Sequence, residues 1–180
     1  MAVDIGSYTA AQKLEGILAD AVLVSHLHGD HLSVENIKKL SPNKLYLSAE
    51  CMEVLGEEKI SSEIAQIRAD EVVNIGDIKV QIFNVDHGPN TKVRPKENFG
   101  FLLEVDGQKI YFAGDMFYPS GIEVADLEVD IVLLPVGGFY TFGPVEAIEF
   151  SQKFKKIGQV LPMHYEKAEE TKEEFLKLIK

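Results

Sequence analysis

The sequence has a single cysteine and no long apolar run, and each scarcity excludes something. A lone thiol, Cys51, rules out an internal disulfide framework and a Cys-rich structural zinc site, and it points to a cytoplasmic chain. No segment reaches the roughly 18–20 apolar residues of a membrane helix, and the N-terminus lacks the basic-then-apolar pattern of a signal peptide. No membrane partner is expected. Positive charge is scarce too. With 18 Lys and Arg against 29 Asp and Glu, the net charge is −11, a field that repels phosphate backbones. Nucleic acid is a disfavoured partner unless a local basic patch works against that field. Lys92, Arg94 and Lys96 in "NTKVRPKEN" are the one such patch, either a solvated loop or a small basic lip for an anionic substrate.

What is present is an ordinary globular composition, 46% hydrophobic and 26% charged. The 180 residues suit one domain over 1–180, with no internal repeat or linker. Strands are expected at "ADAVLVS", "KLYLS", "DIKVQIFNV", "FGFLLEV", "QKIYFAG", "VDIVLLPV" and "QVLPM". Asp106-Gly107 predicts a tight hairpin, since both positions of such a turn need positive φ. Ser33 and Ser48 can cap "VENIKKL" and "AECMEVL". A third helix opens at Pro144 and runs to Gly158, with Ala147, Phe150, Phe154 and Ile157 as its buried stripe. A last one is expected in "EEFLKLIK" with Phe175, Leu178 and Ile179 inward. This order predicts a mixed α/β (α+β) fold, sheets covered by helices on their outer faces. Cys51, on the second helix, reads as a small buried hydrophobe rather than a metal or catalytic thiol.

The five histidines are not scattered. His26, His28 and His31 lie with Asp30 in "HLHGDH", straight after a strand, while His87, Asp115 and His164 each follow the end of another strand. Strand ends are where a rigid sheet can aim polar side chains into one cleft. In an extended segment His26 and His28 project to the same side and can grip one cation. Asp30 and His31, further round the turn, can address a second. A carboxylate such as Asp115 can bridge two metals roughly 3.5–4 Å apart.

His26-Leu27-His28-Gly29-Asp30-His31 resembles the HxHxDH signature of the metallo-β-lactamase superfamily, and the later order His87, Asp115 in "FAGDM", His164 in "LPMHY" agrees with it. More narrowly, "VLLPVGGFYTFGPVEAIEF" followed by "LPMHY" is similar to the branch of metal-dependent hydrolases that includes the ascorbate-phosphate lactonases. The resemblance covers Asp4 to about Tyr165. It implies a four-layer αββα sandwich with two divalent metal ions, zinc first and manganese or iron as alternatives, at one edge. His26, His28 and His87 would hold one metal; Asp30, His31 and His164 would hold the other, with Asp115 bridging. Asp4 matches the buried aspartate that supports the ligand loop. Relatives carry strands ahead of that aspartate, and here three residues precede it. A chain short of its N-terminal strands is expected to show an altered sheet edge or to pair as a homo-oligomer.

The reaction expected is hydrolysis of an ester, lactone or phosphoester of a small molecule, an anionic one if the basic lip faces the metals, by a hydroxide bridging the metals. All five histidines are used as ligands, so the leaving group must take its proton from Asp30, a metal-bound water, or a tyrosine such as Tyr140 or Tyr165. The "GGFYTFG" loop, with Gly138 and Tyr140, is expected to line the site, and Arg94 to favour a small anionic substrate. Three rivals stay open. An RNA phosphodiesterase shares the signature but brings a clamp or basic arm. A di-iron redox protein carries glutamate where His28 stands. A non-catalytic metal-binding protein would keep the ligands without turnover.

Overall fold

The computed structural model describes residues 1–118, 123–165 and 168–179. The chain divides into two units, one of residues 1–69 with 95–97 and one of residues 70–94 with 98–180. In the first unit β1 (Ala2–Val3), β2 (Ala21–Leu23), β3 (Lys44–Leu47) and β4 (Glu63–Gln66) form a sheet in that order. Every pair in it is parallel. Parallel neighbours need crossovers, and α1 (Val34–Leu40) and α2 (Ala49–Leu55) follow β2 and β3. The Ser33 side chain accepts from Asn36 N–H and that of Ser48 from Cys51 N–H, as the two caps predict. Val22, Leu45 and Leu47 from the strands, Val24 just past β2 and Ile37 from α1 lie in this unit's core, all fully buried. Complete burial of such a side chain contributes about 1.5–3 kcal/mol.

The second unit is a six-stranded sheet. Its elements are β5 (Val72–Ile75), β6 (Ile78–Asn84), β7 (Phe99–Val105), β8 (Gln108–Phe112), β9 (Glu128–Pro135) and β10 (Lys156–Met163), with α3 (Pro144–Ser151) and α4 (Glu169–Leu178). The strand order is β10-β9-β8-β7-β6-β5. β5 to β8 run antiparallel, and β8, β9 and β10 are parallel to one another. The β7–β8 hairpin turns on Asp106 (φ 50°) and Gly107 (φ 76°), the two positive values the dipeptide predicts. Tyr111, Val132, Phe150, Phe154 and Phe175 meet in this unit's own core.

Three expectations change. The third helix ends at Ser151, not Gly158, because Ile157 pairs with Val129 and lengthens β10 back to Lys156. The parallel ladder outweighs the helical spacing of Ile157 there. In α4 Phe175 is buried as expected, but Leu178 faces solvent. Strands β4 and β5 escape a reading of periodicity because both lie at sheet edges and bury few side chains. Among the described residues no helix is long and apolar enough to cross a membrane.

Candidate metal centre

The first unit carries four of the seven expected ligands on one loop. The chain leaves the sheet after Val24, whose N–H still bonds the Tyr46 carbonyl. It then closes a tight turn in which the His31 and Leu32 amides both donate to the His28 carbonyl. The segment after Asp4 runs alongside: Ser33 N–H donates to Ile5 O and Ser7 N–H to Gly29 O. Gly6 is required by this approach, since a Cβ there would fall 1.6 Å from the Asp30 carbonyl oxygen. Buried Asn36 ties the same segment down, donating to the carbonyls of Gly6 and Thr9.

Within this loop a chain of hydrogen bonds assigns the histidine protons. Asp4 Oδ1 accepts from Ser25 N–H, and Asp4 Oδ2 accepts from Ser25 Oγ–H and His31 Nδ1–H, each at 2.7 Å. A carboxylate only accepts, so His31 carries its proton on Nδ1 and keeps Nε2 basic. Ser25 has given its one proton to Asp4, so its Oγ accepts from His26 Nδ1 at 3.0 Å, and His26 Nε2 is basic as well. That nitrogen lies 2.9 Å from His28 Nδ1. Two nitrogens about 2.1 Å from a common ion at a tetrahedral angle stand roughly 3.4 Å apart, so the pair lies within about half an ångström of the spacing a shared cation would set. The carboxylate–histidine pair is the arrangement that orients a ligating imidazole. Asp4 itself holds φ at 51°, a value uncommon outside glycine, asparagine and aspartate. Replacing Asp4 with alanine strips three donors of their acceptor, and metal affinity should fall roughly 10–100-fold. A metal titration giving the parent's affinity would overturn this role.

The second unit carries the other three expected ligands. His87 follows β6, Asp115 follows β8 and His164 follows β10. Asp115 Oδ2 lies 3.3 Å from His87 Nε2 and 3.1 Å from His164 Nε2, so one carboxylate oxygen faces two imidazoles. His87 and Asp115 are both 2% exposed, far from the water that would ordinarily solvate a charge. Buried Asn98 fixes both loops, donating to the carbonyls of Val85 and Asp115. His164 sits at φ 56°, and Gly137 lets it do so at close quarters: a Cβ on that glycine would meet the His164 carbonyl at 2.4 Å. All seven expected ligands are among the His and Asp groups that could hold metal ions. The donors are nitrogen and oxygen, which suit zinc, manganese or iron.

The remaining expected residues are placed as follows. Arg94 bonds Asp86 Oδ1 at 2.7 Å, and the same oxygen accepts from Gly88 N–H, so the guanidinium braces the turn that holds His87. Gly138 (φ 91°) and Tyr140 lie on the loop before α3, where the Tyr140 ring is half exposed against Phe139. Tyr165 packs against the core of its unit with the Lys172 ammonium over its ring. Sequence reasoning missed Ser25, Asn36, Asn98, Gly6 and Gly137. Only Ser25, next to the first histidine, carried a positional signal.

Cys51 is wholly buried, and burial pushes its thiol up to about 11. The neutral form is thus favoured by folding. This contribution is complete below pH 9, the ordinary value, and is lost as pH rises towards 11. We expect no reaction of native Cys51 with a disulfide reagent at pH 8 and full reaction on unfolding. Rapid native labelling would contradict the burial argument.

The chain is similar to known proteins over most of its length. Residues 1–164 match the family described as the Beta-lactamase superfamily domain. A UPF0173 metal-dependent hydrolase of Thermococcus onnurineus is 31% identical over 166 residues, covering 89% of this chain and 73% of its own. The crystal structure of a protein from Parabacteroides distasonis superposes with a TM-score of 0.78 at 24% identity, over 99% of this chain and 79% of that one. That of Igni18, a metallo hydrolase from Ignicoccus hospitalis, gives 0.71 at 21% identity, over 97% and 79%. The chain has the metallo-β-lactamase fold and belongs to the metallo-β-lactamase superfamily, among the UPF0173 metal-dependent hydrolases.

Proposed function

We propose that the two ligand sets act as one site in a single hydrolase domain, His26, His28 and His87 on one divalent cation and Asp30, His31, Asp115 and His164 on a second. The reaction is cleavage of an ester, lactone or phosphoester of a small substrate. A lactone is included on the narrower likeness to the lactonase branch. Bound there, such cations polarise the bond under attack and bring the pKa of water towards neutrality. The chain's residues do the rest. Asp4 and Ser25 keep the basic nitrogens of His31 and His26 turned away from their own hydrogen bonds. Asp115 holds negative charge between His87 and His164. Asp30, half buried and 3.9 Å from His31 Nε2, would carry the proton to the leaving group.

The observation that carries this reading is the proton assignment. Ser25 and Asp4 consume the Nδ1 protons of His26 and His31, which is the tautomer a metal ligand needs and which a merely structural histidine does not. The test is a metal-stripped chain restored with zinc, manganese or iron and given a 4-nitrophenyl ester, a lactone and a phosphodiester. At least one should be hydrolysed about 100-fold faster after restoration. Rates indistinguishable from those of the stripped chain on all three would overturn the reading.

A further inference from the structure

The second unit holds a cleft of about 380 Å³ whose lining begins within two residues of the ligands. Phe117 lies two residues past Asp115. Its ring sits so close over Gly88, next to His87, that a Cβ on that glycine would come within 2.5 Å of it. On the other side the lining begins at Gly138, one residue beyond the glycine that abuts His164. Phe142 N–H donates to the Met116 carbonyl at 2.8 Å, closing that loop onto the Asp115 segment. The apolar lining is Phe117, Phe142 and Phe150, while exposed Glu146 and Glu149 stand at the cleft with a single cation, Lys153.

Two chemical features follow. Aromatic walls reward an apolar group in proportion to the area it hides from water. Two carboxylates against one ammonium oppose the entry of an anion, and the whole-chain charge of −11 adds to that. Resting on the hydrolase reading above, we propose that this cleft takes a neutral aryl or short alkyl group of the ester or lactone to be cleaved. Carboxylate-bearing analogues are turned away by Glu146 and Glu149.

The experiment titrates benzamide and benzoate into the metal-free chain, followed by ligand-observed NMR. Benzamide should bind at least about tenfold more tightly than benzoate. In Glu146→Gln/Glu149→Gln, two exposed positions on α3, the gap should narrow to under about threefold. Gly143→Leu should abolish benzamide binding. The backbone there is extended (φ −84°, ψ 179°), and a Cβ meets only the flexible end of Glu146 at less than 3 Å, so the chain accepts a side chain at the cleft. Equal binding of the two probes, or Gly143→Leu binding benzamide like the parent, overturns the proposal. These titrations need neither metal nor turnover. A chain that binds benzamide and hydrolyses nothing refutes the proposed reaction alone; one that hydrolyses esters and ignores benzamide refutes the cleft alone.

Discussion

Asp115→Ala is expected to lower metal-dependent hydrolysis by at least about a thousandfold, the equivalent of roughly 4 kcal/mol of transition-state stabilisation. The Asp115 side chain is 3% exposed, and its Oδ2 lies within 3.3 Å of two imidazole nitrogens. Alanine leaves His87 and His164 facing each other with no negative charge between them. The same change should cost the metal-free chain little stability, because a buried carboxylate is itself expensive to desolvate. Activity and thermal stability should therefore part company. A collapse of both together would mark Asp115 as a structural residue, and a variant that hydrolysed at the parent's rate would remove it from the reaction. Asp115→Asn keeps the shape and loses the charge, so it should resemble alanine rather than the parent.

Gly6→Ala is expected to be the most damaging change at a position outside the seven expected ligands. Its Cβ would lie 1.6 Å from the Asp30 carbonyl oxygen and 2.6 Å from His31 N, both backbone atoms that no rotamer change can move. The turn carrying Asp30 and His31 has to shift. Overpacking of this kind costs about 3 kcal/mol, or roughly 6–12 °C in Tm for a chain of this size. Asp4 then loses its alignment with His31, so metal affinity should fall with Tm. Thermal denaturation with and without added zinc reads both effects. A variant within about a degree of the parent, with the same zinc-induced rise, would show that the Gly6 contact does not position the loop.

The seven expected ligands can be picked out in the sequence because each lies near the end of an apolar run that reads as a strand. The spacing of His26, His28, Asp30 and His31 also carried its own chemistry. The supports could not be read so well. Gly6 and Gly137 matter through backbone atoms 24 and 27 residues away, and no local pattern encodes a close approach of that range. Asn98 sits in a polar stretch, and its two bonds to Val85 and Asp115 appear only once β6, β7 and β8 are paired. Arg94 reads in the sequence as part of a solvated loop or a basic lip, and its bond to Asp86 Oδ1 is a pairing that no local charge pattern encodes. Helix α3 was overextended because Ile157 satisfies a helical stripe and a parallel strand equally well; the pairing with Val129 decides.

The most direct test is the number of divalent ions each chain holds at saturation, measured by elemental analysis after dialysis against zinc and, separately, manganese. Two ions per chain are expected for the parent, and about one when His26 and His28 are both replaced by alanine. A folded parent that retains no ion under either metal would contradict a centre built from these seven side chains.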